Sequence, residues 1–183
     1  VGWQHTCALL DDGNVRCWGL NWQNAVLGYG QSGNIGDDET PAAAGNVNLP
    51  FEPVQISAGF SHTCAVSVEG DVVCWGLNDA GQLGIESDEI IGDDETPVDL
   101  EPIDLPGGAQ RVHAGHRTSC AIMEDDEVIC WGDGAFWTLG NQSPEVIGDD
   151  ESPGTAGDIN LGFKTQTITG EGYHHCALST EGA

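Results

Sequence analysis

Short stretches of alternating apolar and polar residues organise this chain. Val54-Gln55-Ile56-Ser57-Ala58 alternates with the period of a half-buried strand, and the pattern returns around Val112 and Ile168. The first of these stretches is followed by two apolar runs, Cys64-Ala65-Val66 and Val72-Val73-Cys74, on either side of a polar turn. No apolar stripe with 3.6-residue spacing reaches useful length, so the predicted elements are strands and the predicted fold class is all-β. The 27 Gly and 8 Pro agree, because short strands need many turns. No apolar run approaches the roughly 18 residues that span a bilayer, so no membrane span is expected.

The strand pattern repeats. Cys7, Cys64, Cys120 and Cys176 head similar segments at spacings of 57, 56 and 56 residues. Ile35, Ile91 and Ile147 open the near-identical IGDDETP, IGDDETP and IGDDESP, and Leu27-Gly28, Leu83-Gly84 and Leu139-Gly140 keep the same step. The 183 residues hold about 3.3 units, placed at about 1–53, 54–109, 110–165 and 166–183. The last unit ends before its second cysteine, so the chain is expected to be a piece of a longer array.

Within a unit two cysteines lie ten residues apart around a three-residue loop such as Asp11-Asp12-Gly13. A hairpin centred there puts Cys7 opposite Cys17 and Leu9 opposite Val15, and the same register pairs Val66 with Val72 and Ile122 with Val128. Gly13, Gly70 and Gly182 supply the left-handed turn residue, with Asp126 in their place in the third unit. Asn46 to Leu49 and Asp158 to Leu161 are candidates for a fourth strand. Three or four antiparallel strands per unit are the makeup of a propeller blade. Thiols directly opposed across antiparallel strands fit a disulfide, so Cys7–Cys17, Cys64–Cys74 and Cys120–Cys130 are expected bridges, and three of them in step point to an oxidising compartment. Zinc is disfavoured because no C-x₂₋₄-C knuckle occurs.

Ala58-Gly59, His62-Thr63, Trp75-Gly76 and Asn78-Asp79-Ala80-Gly81-Gln82-Leu83-Gly84 resemble the repeats of the regulator of chromosome condensation family. The resemblance covers essentially the whole chain and implies a β-propeller, usually of seven blades. The family includes a nuclear exchange factor, a plant ultraviolet-B photoreceptor and secreted inhibitors of β-lactamases. Gly2-Trp3-Gln4-His5-Thr6 partly resembles the photoreceptor's Trp-bearing motif but has Gln4 in place of its arginine. Cysteine-paired units joined by IGDDETP look most like the repeats of large exported bacterial proteins.

Charge narrows the partners. Four Lys and Arg against 30 Asp and Glu give a net charge of −26, which excludes nucleic acid as an expected partner. The carboxylates concentrate in the linkers Asp37-Asp38-Glu39, Asp93-Asp94-Glu95 and Asp149-Asp150-Glu151. Such oxygen clusters suit calcium, but no D-x-D-x-D-G loop is present and carboxylates before a Thr-Pro or Ser-Pro turn also bond backbone amides, so turn chemistry is the favoured reading. His5, His62 and His174 are read as one repeat position, filled by Thr118 in the third unit, with the histidine bonding a neighbouring blade. No catalytic motif appears, and the G-x-G-x-x-G at Gly28 belongs to the repeat. Trp18, Trp75 and Trp131 recur as packing residues, whereas Trp22, Tyr29, Phe136 and Trp137 do not recur and are candidate anchors for a partner. The expectation is an extracellular or cell-surface, non-enzymatic scaffold that offers variable loops to a protein or surface partner. A secreted enzyme inhibitor and a self-associating fibre or surface-layer subunit are the alternatives.

Overall fold

A computed structural model of the chain describes residues 1–21, 25–170 and 172–181. Among the described residues ten strands form four antiparallel sheets: β1 (His5–Leu9) with β2 (Val15–Gly19), β3 (Pro53–Ala58) with β4 (His62–Ser67) and β5 (Val72–Gly76), β6 (Ala109–Ala114) with β7 (Thr118–Met123) and β8 (Val128–Gly132), and β9 (Thr165–Thr169) with β10 (Cys176–Ser179). These are successive propeller blades, and the two central ones are three-stranded.

Alternation sets the registers. Cys7 pairs with Cys17 and Leu9 with Val15, Cys64 with Cys74 and Val66 with Val72, and Cys120 with Cys130 and Ile122 with Val128. Each turn carries its left-handed residue at Gly13, Gly70 or Asp126, with φ of 79°, 90° and 67°. A side chain at Gly70 is excluded twice over, since a Cβ there would also sit 2.5 Å from the Gly108 Cα. Gly182 lies outside the described residues.

The expected fourth strand shrinks to isolated bonds. Val47 bridges Val15, and the Ile103 and Ile159 amides donate to the Val72 and Val128 carbonyls at 2.8 Å. Pro50 follows closely in the first unit and has no amide with which to continue a ladder. Past the acidic linker the chain also makes a single helical turn that strand periodicity did not predict. Thr40 caps α1 (Pro41–Ala44), and Thr96-Pro97 and Ser152-Pro153 start 3₁₀ turns, because proline suits the first helical position.

The core lies between and within the sheets. Trp75 and Trp131 are completely buried, as are Leu27 and Leu83. Strands β3 and β6 of successive blades lock together: the Gln55 side-chain amide donates to the Val112 carbonyl and accepts from the Val112 amide, both at 2.9 Å. The Ala114 amide donates to Ser57 Oγ at 3.0 Å.

Candidate interaction face

One end of the blades gathers the loops with the most unusual side chains. The residue before each cysteine hairpin pairs with the residue after it, through Leu20 to Gln4, Leu77 to Ser61 and Asp133 to Arg117, at 2.8 to 2.9 Å. The loops entering β1, β4 and β7 and those leaving β2, β5 and β8 therefore share a face.

Beneath that face a latch joins each blade to the next. His5 Nε2 and Thr63 Oγ1 are hydrogen-bonded at 2.8 Å, His62 Nε2 and Ser119 Oγ at 2.8 Å, and His175 Nε2 and Thr118 Oγ1 at 2.7 Å. Ser119 commits its own proton to the Gln82 carbonyl at 2.8 Å, so its oxygen accepts from His62 and fixes the Nε2–H tautomer. Burial pushes His5 down to about 4, His62 to about 3 and His175 to about 4, which keeps all three neutral near pH 7. The structural role expected of His5 and His62 is what they perform. In the fourth unit the latch uses His175 rather than His174. The two chemistries exchange sides there, because Thr118 stands where the earlier blades carry histidine. The sequence signal was a hydroxyl or histidine immediately before each cysteine. Two tryptophans add to the seam: Trp75 Nε1 donates to the Val26 carbonyl at 3.1 Å and Trp131 Nε1 to the Gln82 carbonyl at 3.0 Å.

On the surface above the latches runs a row of rings, one from each blade. Trp3 stacks on Phe60 with centroids 5.1 Å apart, while Phe60 and His116, 4.1 Å apart, and His116 and Tyr173, 4.5 Å apart, meet with their planes tilted by 36°. The terminal rings are open, Trp3 being 67% and Tyr173 63% exposed. Sequence reading missed this row, because four different side chains hide the repeat. Trp3, Phe60 and His116 each follow a glycine at the repeat spacing, and that was the available signal. Beside the row lies a cleft of about 610 Å³ lined by Ile56, Ser57, His113 and Thr169 among others, with no carboxylate side chain among its lining residues.

Phe136 and Trp137 stand in the loop after β8, 87% and 63% exposed. Both are left-handed, with φ of 60° and 59°. The repeat places Gly81 at the position of Trp137, with φ of 68°, so a bulky aromatic occupies a backbone shape suited to glycine. Asp133 Oδ1 accepts from the Ala135 amide at 2.9 Å, and the Trp137 amide donates to the Gly134 carbonyl at 2.9 Å. Tyr29 is turned to internal use. Its hydroxyl lies 3.1 Å from both the Cys17 amide and the Cys17 carbonyl, and 3.3 Å from the Gly45 carbonyl. Trp22 lies outside the described residues.

The sulfurs of Cys7 and Cys17, Cys64 and Cys74, and Cys120 and Cys130 stand 2.03, 2.09 and 1.97 Å apart, and Cys176 is exposed without a partner cysteine among the described residues. In each linker one oxygen from each of the three acidic residues lies within 4.8 Å of the other two, as in Asp37-Asp38-Glu39, Asp93-Asp94-Glu95 and Asp149-Asp150-Glu151. The same carboxylates serve the turn. Glu39 Oε1 accepts from the Gly36 amide at 2.8 Å, Glu95 Oε1 from Gly92 at 2.7 Å, and the leading aspartates bond the next amide at 3.0 to 3.1 Å. Crowding raises the glutamates: a hydrogen bond to Asp38 lifts Glu39, burial lifts Glu95, and burial with the Asp150 contact lifts Glu151 to about 7.

Models of the regulator of chromosome condensation (RCC1) repeat match residues 1–31 and 54–82, and residues 69–122, together more than half of the chain. The chain is similar to the regulator of chromosome condensation of Drosophila melanogaster, with 32% identity over 86% of this chain and 28% of the relative. It is also similar to the ultraviolet-B receptor UVR8 of Arabidopsis thaliana, with 28% identity over 87% of this chain and 33% of the receptor. Among solved structures, the yeast RCC1 protein Prp20, determined bound to Kap60, superposes with a TM-score of 0.66 at 22% identity, covering 99% of this chain and 42% of Prp20. The chain thus spans about a third or less of these curated relatives.

Proposed function

Because this chain belongs to the regulator of chromosome condensation (RCC1) repeat family, we propose that it serves as a non-catalytic interaction scaffold of an exported protein, with the loops of one propeller face presented to a protein partner. The observation that carries the reading is the loop after β8. Phe136 and Trp137 are both exposed on left-handed backbone, a placement that packing does not reward and that aromatic contact with a partner would. Rigid support comes from the inter-blade latches and the tryptophan seam, so the loop is aimed by an ordered platform. The repeated histidines are engaged in that support, which favours binding over catalysis. Three cysteine pairs at bonding distance favour an oxidising, extracellular setting. The charge of −26 disfavours nucleic acid, and no helix among the described residues is long and apolar enough to cross a membrane.

A photo-crosslinking phenylalanine analogue at position 136, with a matched control at exposed Val68 in the β4–β5 turn, tests the reading. Capture of a polypeptide at 136 and not at 68 is expected when the exported protein is exposed to its cell-surface surroundings. Equal capture at both positions, or none at 136, would overturn it.

A further inference from the structure

The open ends of the ring row and the charge of the molecule together define a partner. Trp3 stacks on Phe60, Tyr173 lies tilted against His116, and both are more than 60% exposed, so open ring surface remains at the two ends of a row crossing four blades. Such faces attract cations. The same face already holds one: beside His116, Arg117 donates to the Asp79 carbonyl at 3.1 Å, pairs with Asp79 Oδ2 at 3.1 Å and lies 3.9 Å from Asp133 Oδ2. The side chains of Asp79 and Asp133 are 51% and 23% exposed, leaving carboxylate surface next to the rings. With 30 acidic residues against four basic ones, the chain repels another copy of itself and any acidic surface, and it draws in a basic one.

We propose that the ring row of Trp3, Phe60, His116 and Tyr173, flanked by Asp79 and Asp133, docks a lysine- or arginine-rich segment of another protein. Basic side chains lie over the outer faces of Trp3 and Tyr173, and further guanidinium or ammonium groups reach the two aspartates in the manner of Arg117. The proposal rests on the scaffold reading and supplies the chemistry of its partner. Its anchors are the rings of Trp3 and Tyr173 rather than Phe136 and Trp137, so the two can fail separately.

The test is calorimetry of the full chain with an octa-arginine peptide at physiological salt, with octa-glutamate as the reverse-charge probe. Octa-arginine is expected to bind and octa-glutamate not. Trp3→Ala with Tyr173→Ala should weaken the arginine peptide roughly ten-fold, whereas Asp93→Asn with Asp94→Asn, which removes as much charge from a linker as the face carries in its two aspartates, should weaken it far less. Both ring positions are exposed, so these variants are expected to fold. Equal weakening by the two double variants would mean bulk charge alone and overturn the proposal. So would sedimentation showing a dimer that Trp3→Ala dissolves, since the occupant would then be a second copy. If octa-arginine fails to bind while the Phe136 crosslinker still captures a partner, the scaffold survives and this proposal falls.

Discussion

At the residue scale the most informative feature is the exchange of chemistry in the third latch. A histidine on one blade and a hydroxyl on the next give the same hydrogen bond whichever blade carries which, so the pair and not the residue is what the seam requires. Replacing Thr118 by His alone should set two imidazoles against each other and destabilise the fold by about 1–3 kcal/mol, the range for a buried polar group left unsatisfied. Thr118→His with His175→Thr should recover most of that loss, because it recreates the arrangement of the first two seams. Denaturant unfolding of the single and double variants measures the coupling. A double variant no more stable than the single one would deny the latch its interchangeable character.

At the element scale each hairpin is fastened twice, by its turn and by its cysteines. Closing a loop of about 11 residues is worth up to about 2.8 kcal/mol through the unfolded chain. Cys64→Ala with Cys74→Ala is therefore expected to lower the unfolding free energy by no more than that amount, without altering the register, which Val66–Val72 and Gly70 also specify. Backbone amide protection across β4 and β5 checks the second half of the statement. The hairpins were legible in the sequence because pleat and turn are local: cysteines, apolar partners and the left-handed residue are all fixed within a dozen positions. The candidate fourth strand was less legible, because its length depends on a partner outside the hairpin. Asn46 to Leu49 and Asp158 to Leu161 have strand-like composition, but pairing with the neighbouring strand limits each to a single bridge or bond.

At the scale of the whole molecule two sets of titrating groups pull stability in opposite directions. His5, His62 and His175 are neutral when folded and have folded values of about 4, 3 and 4, below the ordinary 6.5. The unfolded chain takes up their protons first, so their contribution is present above pH 6.5 and is lost as the pH falls towards 4. Glu151 is raised from 4.5 to about 7, so the folded chain holds its proton longer, and its contribution is present below 4.5 and lost as the pH rises through 7. Thermal unfolding across pH 4 to 8 is expected to show the acid loss sharply, because His5 and His62 are buried. Glu151→Gln should remove the opposing decline between pH 4.5 and 7 and so steepen the net rise there, and an unchanged slope over that window in the variant would remove the assigned cause. The chelator EDTA should leave the curve in place if the linker carboxylates act through turn amides, whereas a drop in melting temperature would reveal a bound cation.

The repeat, the strand registers, the cysteine pairing and the acidity of the linkers were all determined by the sequence itself, because each depends on neighbours a few residues away or on a spacing that can be counted. Only the tertiary structure decided what meets across the seams. Trp3 reaches Phe60, His5 meets Thr63 and His175 finds Thr118 through blade stacking, which brings together groups some 55 to 58 residues apart in the seams. Alternation along a strand says which side a residue faces. It does not say which residue of the next blade lies opposite, and the character of the presented face is set there.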